Sequence, residues 1–236
     1  MRIGVARPSD DELAAVRHHF IASRSVANPY NIYDYHHDAM QVVSTIMQTH
    51  DTVVAVGGSG LYIDALISAP SRMPDPTPEL RAELQQMSLD EKRARLRLLD
   101  PDYYGRVDLR NPVRLQRALE VCLTAGRPYS EVLAESGKQK QENRPFGIEV
   151  RVLQPDRNEL RDRINRRVDA MMRDGLLDEV RALVPYRNLN TLNTVGYREL
   201  FPVIDGVEEL DTAVERIKLD TWQYARKQMT WMRKYF

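Results

Sequence analysis

Apolar residues in most of this 236-residue chain recur every three or four positions, which is the period of amphipathic helices. One such helix is predicted from Ser9, where a capping-box pattern precedes Leu13, Val16 and Phe20 at helical spacing. A second helix is predicted over the stretch DYHHDAMQVVSTIMQ, in which Met40, Val43 and Met47 share a face. The first part of the chain is therefore expected to be mainly helical.

The pattern changes in residues 52–56, where apolar residues lead straight into the glycine-rich turn GGSG at residues 57–60. A valine-rich run that directly follows a helix is typical of a strand buried on both faces of a parallel sheet. A second strand is predicted in GIEVRVLQP, where Ile148, Val150 and Val152 alternate with charged or polar residues. The sequence therefore predicts an α/β fold with a parallel sheet.

The segment between the two predicted strands has a different character. Residues 71–144 begin with the proline-rich stretch SRMPDPTPEL and continue as charged, helical sequence. We interpret this segment as an inserted helical domain, so that residues 1–70 and 145–236 together form one α/β core.

Two long helices are predicted after the insertion. Asp156 with Glu159 forms a second capping-box pattern, which opens one of them. The other is predicted over residues 210–234. A buried stripe along it is expected at seven-residue intervals, at Leu210, Ile217, Tyr224 and Trp231.

Composition and charge exclude several classes of protein. Hydrophobic residues make up 42% and charged residues 29%, which is close to globular averages and disfavours disorder or collagen. The 34 basic residues balance the 34 acidic ones, so overall charge does not argue for nucleic-acid binding. Cys122 is the single cysteine, and no apolar run has the length of a signal peptide or a membrane span. These features predict a cytoplasmic protein without a membrane segment.

The glycine turn does not match either common phosphate-binding pattern. A Walker-type loop needs a lysine and a hydroxyl residue after its last glycine, but Leu61 and Tyr62 follow Gly60. The dinucleotide fingerprint fails as well, because Ile63 stands where its third glycine would be. We therefore expect the turn to serve a different ligand.

Arginines form one face of a predicted helix in the insertion. Arg110, Arg114 and Arg117 recur at helical spacing, and the apolar residues of the same helix lie about a quarter turn away. Guanidinium groups suit bidentate contact with RNA phosphates. The alternative is an ordinary solvated face whose arginines pair with Asp108 or Glu120.

Two further sites of positive charge leave similar alternatives. The last helix carries Gln223, Arg226, Lys227, Thr230, Arg233 and Lys234 in one polar sector. Such a sector attracts a polyanion, or it complements the negative end of the helix dipole. In NTVGYREL, Arg198 is predicted to bind a phosphate or to pair with Glu199 or Asp205.

Seven stretches, taken in order, resemble the successive motifs of tRNA dimethylallyltransferases, the isopentenyltransferases that prenylate tRNA. They are IGVARPS, HHF, YDYHHDA, VVAVGGSGLYIDAL, RNPVRLQRALEV, TVGYREL and YARKQMTWMRKYF. The resemblance implies a core like that of P-loop kinases, with a helical insertion that grips the anticodon stem-loop of tRNA. It also implies transfer of a dimethylallyl group from dimethylallyl diphosphate to N6 of the adenosine 3′ of the anticodon, with Mg²⁺ on the leaving pyrophosphate, by a monomer.

The resemblance also assigns roles to individual residues. It places the Ser59 hydroxyl near the substrate adenosine and Arg198 at the diphosphate, which makes these two the expected catalytic residues. The other substrate-binding positions are Gly57, Gly58, Gly60 and Tyr62, whose glycines would let backbone come close to RNA. The implied tRNA-binding positions are Arg81, Arg114, Gln116, Arg117, Thr221, Gln223, Arg226, Lys227 and Gln228. No residue of the chain is a predicted metal ligand.

The N-terminal motifs of the family have no counterpart in this sequence. The family has a strand, a GPTASGKT phosphate loop and an aspartate proposed as general base before the methionine with which this sequence begins. We expect that such a chain, if complete, does not transfer a prenyl group unaided, and that the numbered chain omits an N-terminal piece of an active enzyme. The alternatives are a non-catalytic tRNA-binding homologue and a P-loop nucleoside kinase-like phosphotransferase.

Overall fold

The computed structural model describes residues 1–5, 7–28, 30–70, 73–138 and 146–235, with the backbone alone at residues 136–138. Within these ranges the chain forms twelve α-helices and three short 3-10 helices, and no β-strand. The α-helices are α1 (Asp10–Ala15), α2 (Ile32–Met47), α3 (Gly60–Ile67), α4 (Pro78–Gln86), α5 (Leu89–Leu99), α6 (Pro101–Tyr104), α7 (Pro112–Ala125), α8 (Tyr129–Lys138), α9 (Arg157–Arg173), α10 (Leu176–Ala182), α11 (Phe201–Ile204) and α12 (Leu210–Met232). The 3-10 helices are Val184–Tyr186, Asn190–Leu192 and Arg233–Tyr235.

The chain divides into two compact units. The core unit comprises Met1–Asn31, Asp38–Ile63 and Ile148–Phe236, and the helical unit comprises Ile32–His37 and Asp64–Gly147. The helical unit thus contains the whole of the predicted insertion, residues 71–144, and begins several residues before it.

The core unit is built around α9, α10 and α12. Their buried side chains form one cluster together with the segment between α10 and α12. Its members are Ile164, Val168, Leu176, Val180, Leu192, Tyr197, Leu200, Phe201, Ala213 and Ile217. The predicted stripe along α12 is only partly confirmed, because Ile217 is buried whereas Tyr224 is 48% exposed. The distal half of α12 therefore has a more accessible surface than its first half.

The helical unit has its own core, formed where α4, α5 and α7 pack together. The buried residues of this core are Leu84, Leu96, Leu115, Ala118 and Leu119. Polar side chains fix where the helices begin, because Thr77, Ser88 and Asn111 each accept a hydrogen bond from an N–H group of the first turn. Gly126 ends α7 in the left-handed conformation, with φ of 67°. The predicted apolar face of α7 is confirmed.

Neither of the two segments predicted as strands forms a strand among the described residues, and most of their apolar side chains are exposed. Val54 is 80% and Val56 92% exposed, and Ile148 and Val150 are 44% and 41% exposed. Apolar side chains of a strand become buried only when neighbouring strands and helices cover them. No such partner covers residues 52–56 among the described residues, so the predicted burial of that run is wrong.

Helix α1 is shorter than predicted. The capping box is confirmed, since Ser9 Oγ accepts from Glu12 N at 3.2 Å and the Glu12 carboxylate accepts from Ser9 N at 2.8 Å. The helix nevertheless ends at Ala15, because Val16 is extended with φ of −143° and Phe20 has φ of 65°. Helical spacing of apolar residues does not extend a helix through a non-helical backbone.

The predicted cap of α9 is half formed. Asp156 accepts hydrogen bonds from the N–H groups of Asn158 and Glu159, as an N-cap residue does. The Glu159 carboxylate forms an ion pair with Arg163 Nη2 at 2.6 Å, one turn further along the helix. The beginning of α9 is thus fixed by Asp156.

Candidate functional site

The glycine turn of residues 57–60 lies against the C-terminal part of α12. Gln228 Nε2 donates a hydrogen bond to the Gly58 carbonyl oxygen at 2.7 Å. The Trp231 ring lies beside Gly60, so closely that a Cβ at Gly60 would come within 2.4 Å of ring atoms. Gln228 and Trp231 lie three positions apart on one face of α12, which therefore supports the turn.

The three glycines of the turn differ in what surrounds them. A Cβ at Gly58 would lie 2.2 Å from Gln228 Nε2, whereas a Cβ at Gly57 would meet nothing within 4 Å. The lack of side chains at Gly58 and Gly60 is thus explained by packing against the protein's own helix. The open space beside Gly57 is the part of the turn that can admit a ligand.

We expect the Gly60→Ala variant to lose about 1–3 kcal/mol of stability, because the new methyl group would overlap the Trp231 ring. The measurement is the midpoint of urea unfolding. Gly57→Ala is the matched control, because Gly57 lies three positions away in the same turn and has open space around its Cβ. Equal midpoints for the two variants would contradict the packing of Trp231 on the turn.

Arg198 is held between two carboxylates. Its Nε donates to Glu199 Oε1 at 2.5 Å, and its Nη2 donates to Asp220 Oδ2 at 2.8 Å. The hydrogen bond to Glu199 raises the pKa of Arg198, so the guanidinium stays charged. The predicted pairing with Glu199 is confirmed, while the alternative partner Asp205 binds Arg187. The Arg198 side chain is nevertheless 45% exposed, so part of the guanidinium faces solvent.

Glu199 also fixes the turn that carries Arg198. Its side chain is 1% exposed, and its Oε2 accepts a hydrogen bond from Gly196 N at 2.7 Å. Gly196 has φ of 97°, a conformation that favours glycine, so the turn can close over the carboxylate. Tyr197, in the same turn, is fully buried in the core. The backbone around Arg198 is therefore anchored on both sides.

Helix α12 supports both the glycine turn and Arg198. Asp220, which binds Arg198, and Gln228, which binds Gly58, lie eight residues apart on this one helix. Eight residues correspond to about 12 Å along the helix axis and a rotation of about 80°. The two supports thus share one side of α12.

A third group of contacts ties the N-terminal residues to the Arg198 turn. The Glu179 carboxylate accepts hydrogen bonds from the N–H groups of Arg2 at 2.7 Å, Ile3 at 3.0 Å and Gly4 at 3.2 Å. It also accepts one from the Tyr197 hydroxyl at 2.6 Å. A Cβ at Gly4 would come within 2.5 Å of the Tyr197 ring. One carboxylate thus joins three backbone N–H groups to the residue that precedes Arg198.

In the helical unit, three of the predicted RNA-binding side chains converge on Glu120. This carboxylate is 7% exposed and lies 3.7 Å from Arg81 Nε, 3.3 Å from Arg117 Nη1 and 3.1 Å from Gln116 Nε2. Arg110 lies 3.7 Å from Asp108, so both predicted alternative partners are occupied. Among the described residues, the Arg114 guanidinium has no ion-pair partner.

The predicted polar sector of α12 is accessible. Gln223, Arg226 and Lys227 are exposed, and the two cations form no ion pair with any residue that the structure describes. Thr221 and Gln228 are half-buried. Gln228 is used within the protein, because it donates to Gly58.

Sequence reasoning missed the acidic residues that organise these side chains, namely Glu179 and Asp220, and treated Glu199 and Glu120 only as competing partners. The sequence patterns that could have indicated these acidic residues are weak. Glu199 follows Arg198 directly, and Glu120 lies three positions after Arg117, which is helical spacing. No local pattern connects Glu179 with residues 2–4.

In the described part of the chain, no group of three or more His, Cys, Asp or Glu side chains is placed to hold a metal ion. Nor is any described helix sufficiently long and apolar to cross a membrane.

The family model described as IPP transferase matches residues 1–235. The chain belongs to this family. Among curated relatives, the tRNA dimethylallyltransferase of Christiangramia forsetii is 44% identical, over 99% of this chain and 78% of the relative. The tRNA dimethylallyltransferase 1 of Bacteroides thetaiotaomicron is 43% identical, over 99% of this chain and 76% of the relative. The resemblance seen in the sequence is confirmed.

Solved structures of the IPP transferase family share the fold. The full-length tRNA isopentenylpyrophosphate transferase of Bacillus halodurans is 27% identical with a TM-score of 0.64, over 98% of this chain and 73% of that one. A eukaryotic dimethylallyltransferase, described as acting on tRNA, gives a TM-score of 0.75 at 22% identity, over 98% of this chain and 59% of that one. At that identity, the second likeness supports the fold alone.

Proposed function

We propose that this chain transfers a dimethylallyl group from dimethylallyl diphosphate to N6 of the adenosine 3′ of the tRNA anticodon. The observation that carries the proposal is the support of the glycine turn and of Arg198 by one side of α12. In this arrangement the adenosine lies at the glycine turn, beside Ser59 and Gly57. Gly58, Gly60 and Tyr62 form the rest of the turn and the start of α3. The diphosphate lies at Arg198.

The reaction joins N6 of adenine to the allylic carbon as the bond from that carbon to the diphosphate oxygen breaks. The electron pair of the broken bond leaves with the diphosphate, and the proton that N6 loses passes to water. Negative charge therefore grows on the leaving oxygens, where a fixed cation stabilises the transition state. Glu199 accepts from one of the five N–H groups of Arg198 and Asp220 from another, so at least three are available to the diphosphate.

The proposed RNA partner is the anticodon stem-loop of tRNA. In the helical unit, Arg81, Gln116 and Arg117 are held by Glu120, and Arg114 has no ion-pair partner among the described residues. The core unit adds the exposed Gln223, Arg226 and Lys227 together with Thr221. Because RNA phosphates release counterions when cations bind them, affinity is expected to fall steeply with salt.

We expect Lys227→Ala to weaken binding of an anticodon stem-loop and to reduce the slope of log affinity against log salt by about 0.7 to 1. Lys227 has no ion pair with a described residue, so its charge is available to a phosphate. The measurement is a fluorescence-anisotropy titration at several salt concentrations. Arg163→Ala, which removes a cation already paired with Glu159, is the control and leaves the slope unchanged. A slope unaltered by Lys227→Ala would contradict a phosphate contact there.

The reaction itself is tested by incubating the full-length protein with dimethylallyl diphosphate, Mg²⁺ and an anticodon stem-loop, followed by mass spectrometry of the nucleosides. Dimethylallyl adenosine next to the anticodon supports the proposal. Salt-dependent RNA binding without transfer supports the non-catalytic alternative, and phosphoryl transfer from a nucleotide without need for RNA supports the kinase alternative. The names of the relatives favour neither alternative.

Mg²⁺ belongs to this proposal as a companion of the diphosphate. The described residues offer no cluster of ligands for a resident ion, so no step here depends on one held by the protein. When bound to the diphosphate, Mg²⁺ neutralises part of the charge of the leaving group. We further propose that the protein acts as a monomer in the cytoplasm.

A parallel sheet of P-loop-kinase type remains part of the proposal for the core unit. Its support is the likeness of the whole chain to the Bacillus halodurans fold and the valine-rich character of residues 52–56. Protection of the amides of residues 52–56 from hydrogen exchange is expected if a neighbouring strand pairs with this segment, and rapid exchange would contradict such pairing.

A further inference from the structure

The two carboxylates that hold Arg198 differ in their surroundings. Glu199 has a side chain that is 1% exposed, and each of its oxygens accepts a short hydrogen bond, one from Arg198 and one from Gly196. Asp220 has a side chain that is 22% exposed. One carboxylate is therefore enclosed by the protein, while the other lies where an incoming anion can replace it.

We propose that Glu199 is a positioning residue for Arg198, and that Asp220 is a competing anion whose place the diphosphate takes. This inference rests on the proposed function, because it concerns how Arg198 meets the diphosphate.

The geometry separates the two roles. Glu199 binds Nε, the atom nearest the flexible stem of Arg198, so it fixes the plane of the guanidinium and leaves both terminal nitrogens beyond it. Asp220 binds Nη2, one of the terminal nitrogens that would otherwise face a ligand. Releasing Asp220 makes that nitrogen available, whereas losing Glu199 makes the whole side chain mobile.

Electrostatics predicts opposite effects for the two carboxylates. The enclosed Glu199 charge is compensated by the Arg198 guanidinium and the Gly196 N–H group, so its loss frees the turn as well as the arginine. The more accessible Asp220 charge repels an anion that approaches Arg198. An ion pair of this partly exposed kind is worth little to the protein, so a diphosphate can displace it at small cost.

The test is calorimetric titration of inorganic pyrophosphate, at constant Mg²⁺, into the full-length protein and its variants. We expect Glu199→Gln to weaken pyrophosphate binding about tenfold or more. We expect Asp220→Asn to strengthen it about two- to fivefold. Asp205→Asn, which removes a carboxylate paired with a different arginine of the same unit, Arg187, is the control and leaves the affinity unchanged.

Arg198→Ala separates the inference from the proposed function. If this variant binds pyrophosphate as well as the unchanged protein, or if the unchanged protein does not bind it at all, the role of Arg198 at the diphosphate is wrong. If Arg198→Ala loses binding but Glu199→Gln retains it, the positioning role is wrong and the proposed function stands. If Glu199→Gln does not fold, Asp220→Asn decides, since weaker binding by that variant would overturn the competition that we propose.

Discussion

Replacing Arg198 by alanine is expected to lower the rate of dimethylallyl transfer by about 10²- to 10³-fold, which is the usual cost of removing one fixed donor to developing negative charge. Arg198 is anchored on two sides and still 45% exposed, so its cation is both oriented and accessible. The measurement is single-turnover transfer to an anticodon stem-loop with saturating dimethylallyl diphosphate. Affinity for the stem-loop is expected to stay within a factor of about two.

Two variants make this result specific. Arg198→Lys keeps the charge but cannot donate to Glu199 and Asp220 in the same planar geometry, so we expect an intermediate rate. Arg187→Ala removes another ion-paired arginine of the core unit, whose partner is Asp205, and leaves the rate unchanged. Full activity of Arg198→Ala would show that the charge on the leaving group is stabilised elsewhere.

Features set by neighbouring residues in the sequence were predictable. The capping box at Ser9 and the apolar face of α7 are both present, because each depends on residues within one or two helical turns. The two alternative partners named for the arginine face, Asp108 and Glu120, are both used. Local spacing therefore predicted this cap, this helix face and these ion pairs.

Features that depend on distant segments were not predictable. The exposure of Val54 and Val56 is decided by what covers them, which a short apolar run does not reveal. The contact between Gln228 and Gly58 joins residues 170 positions apart. The sequence pointed to a special role for the glycine turn, but only the structure shows that α12 lies against it.

In both units, an enclosed carboxylate orients arginine side chains that are more exposed. In the helical unit, Glu120 is 7% exposed and binds Arg81 and Arg117, and in the core unit Glu199 is 1% exposed and binds Arg198. In each case an enclosed carboxylate fixes a more exposed guanidinium, which loses less conformational entropy when it binds an anion. Such a site therefore consists of exposed arginines together with an enclosed carboxylate, and the carboxylate identifies which arginines are oriented.

Glu179→Ala is expected to lower the free energy of unfolding by about 2–4 kcal/mol, because four hydrogen-bond donors lose their acceptor. The measurement is the midpoint of urea unfolding at pH 7. Asp178→Ala is the matched control, since this neighbour in α10 has a side chain that is 77% exposed and pairs only with Arg181 among the described residues. Its effect is expected to stay within about 0.5 kcal/mol.

The pH dependence of this effect has a definite sign. Burial alone raises the pKa of Glu179, but the hydrogen bonds from Tyr197 and the N-terminal N–H groups outweigh it and hold the pKa below the ordinary value of 4.5. The stabilisation is therefore fully present above about pH 4.5 and is lost as the pH falls through the lower pKa of the folded protein. Glu179→Gln mimics the protonated side chain, so its difference from the unchanged protein is expected to shrink below pH 4.5. A difference that is constant from pH 7 to pH 3 would show that charge is not what binds these donors.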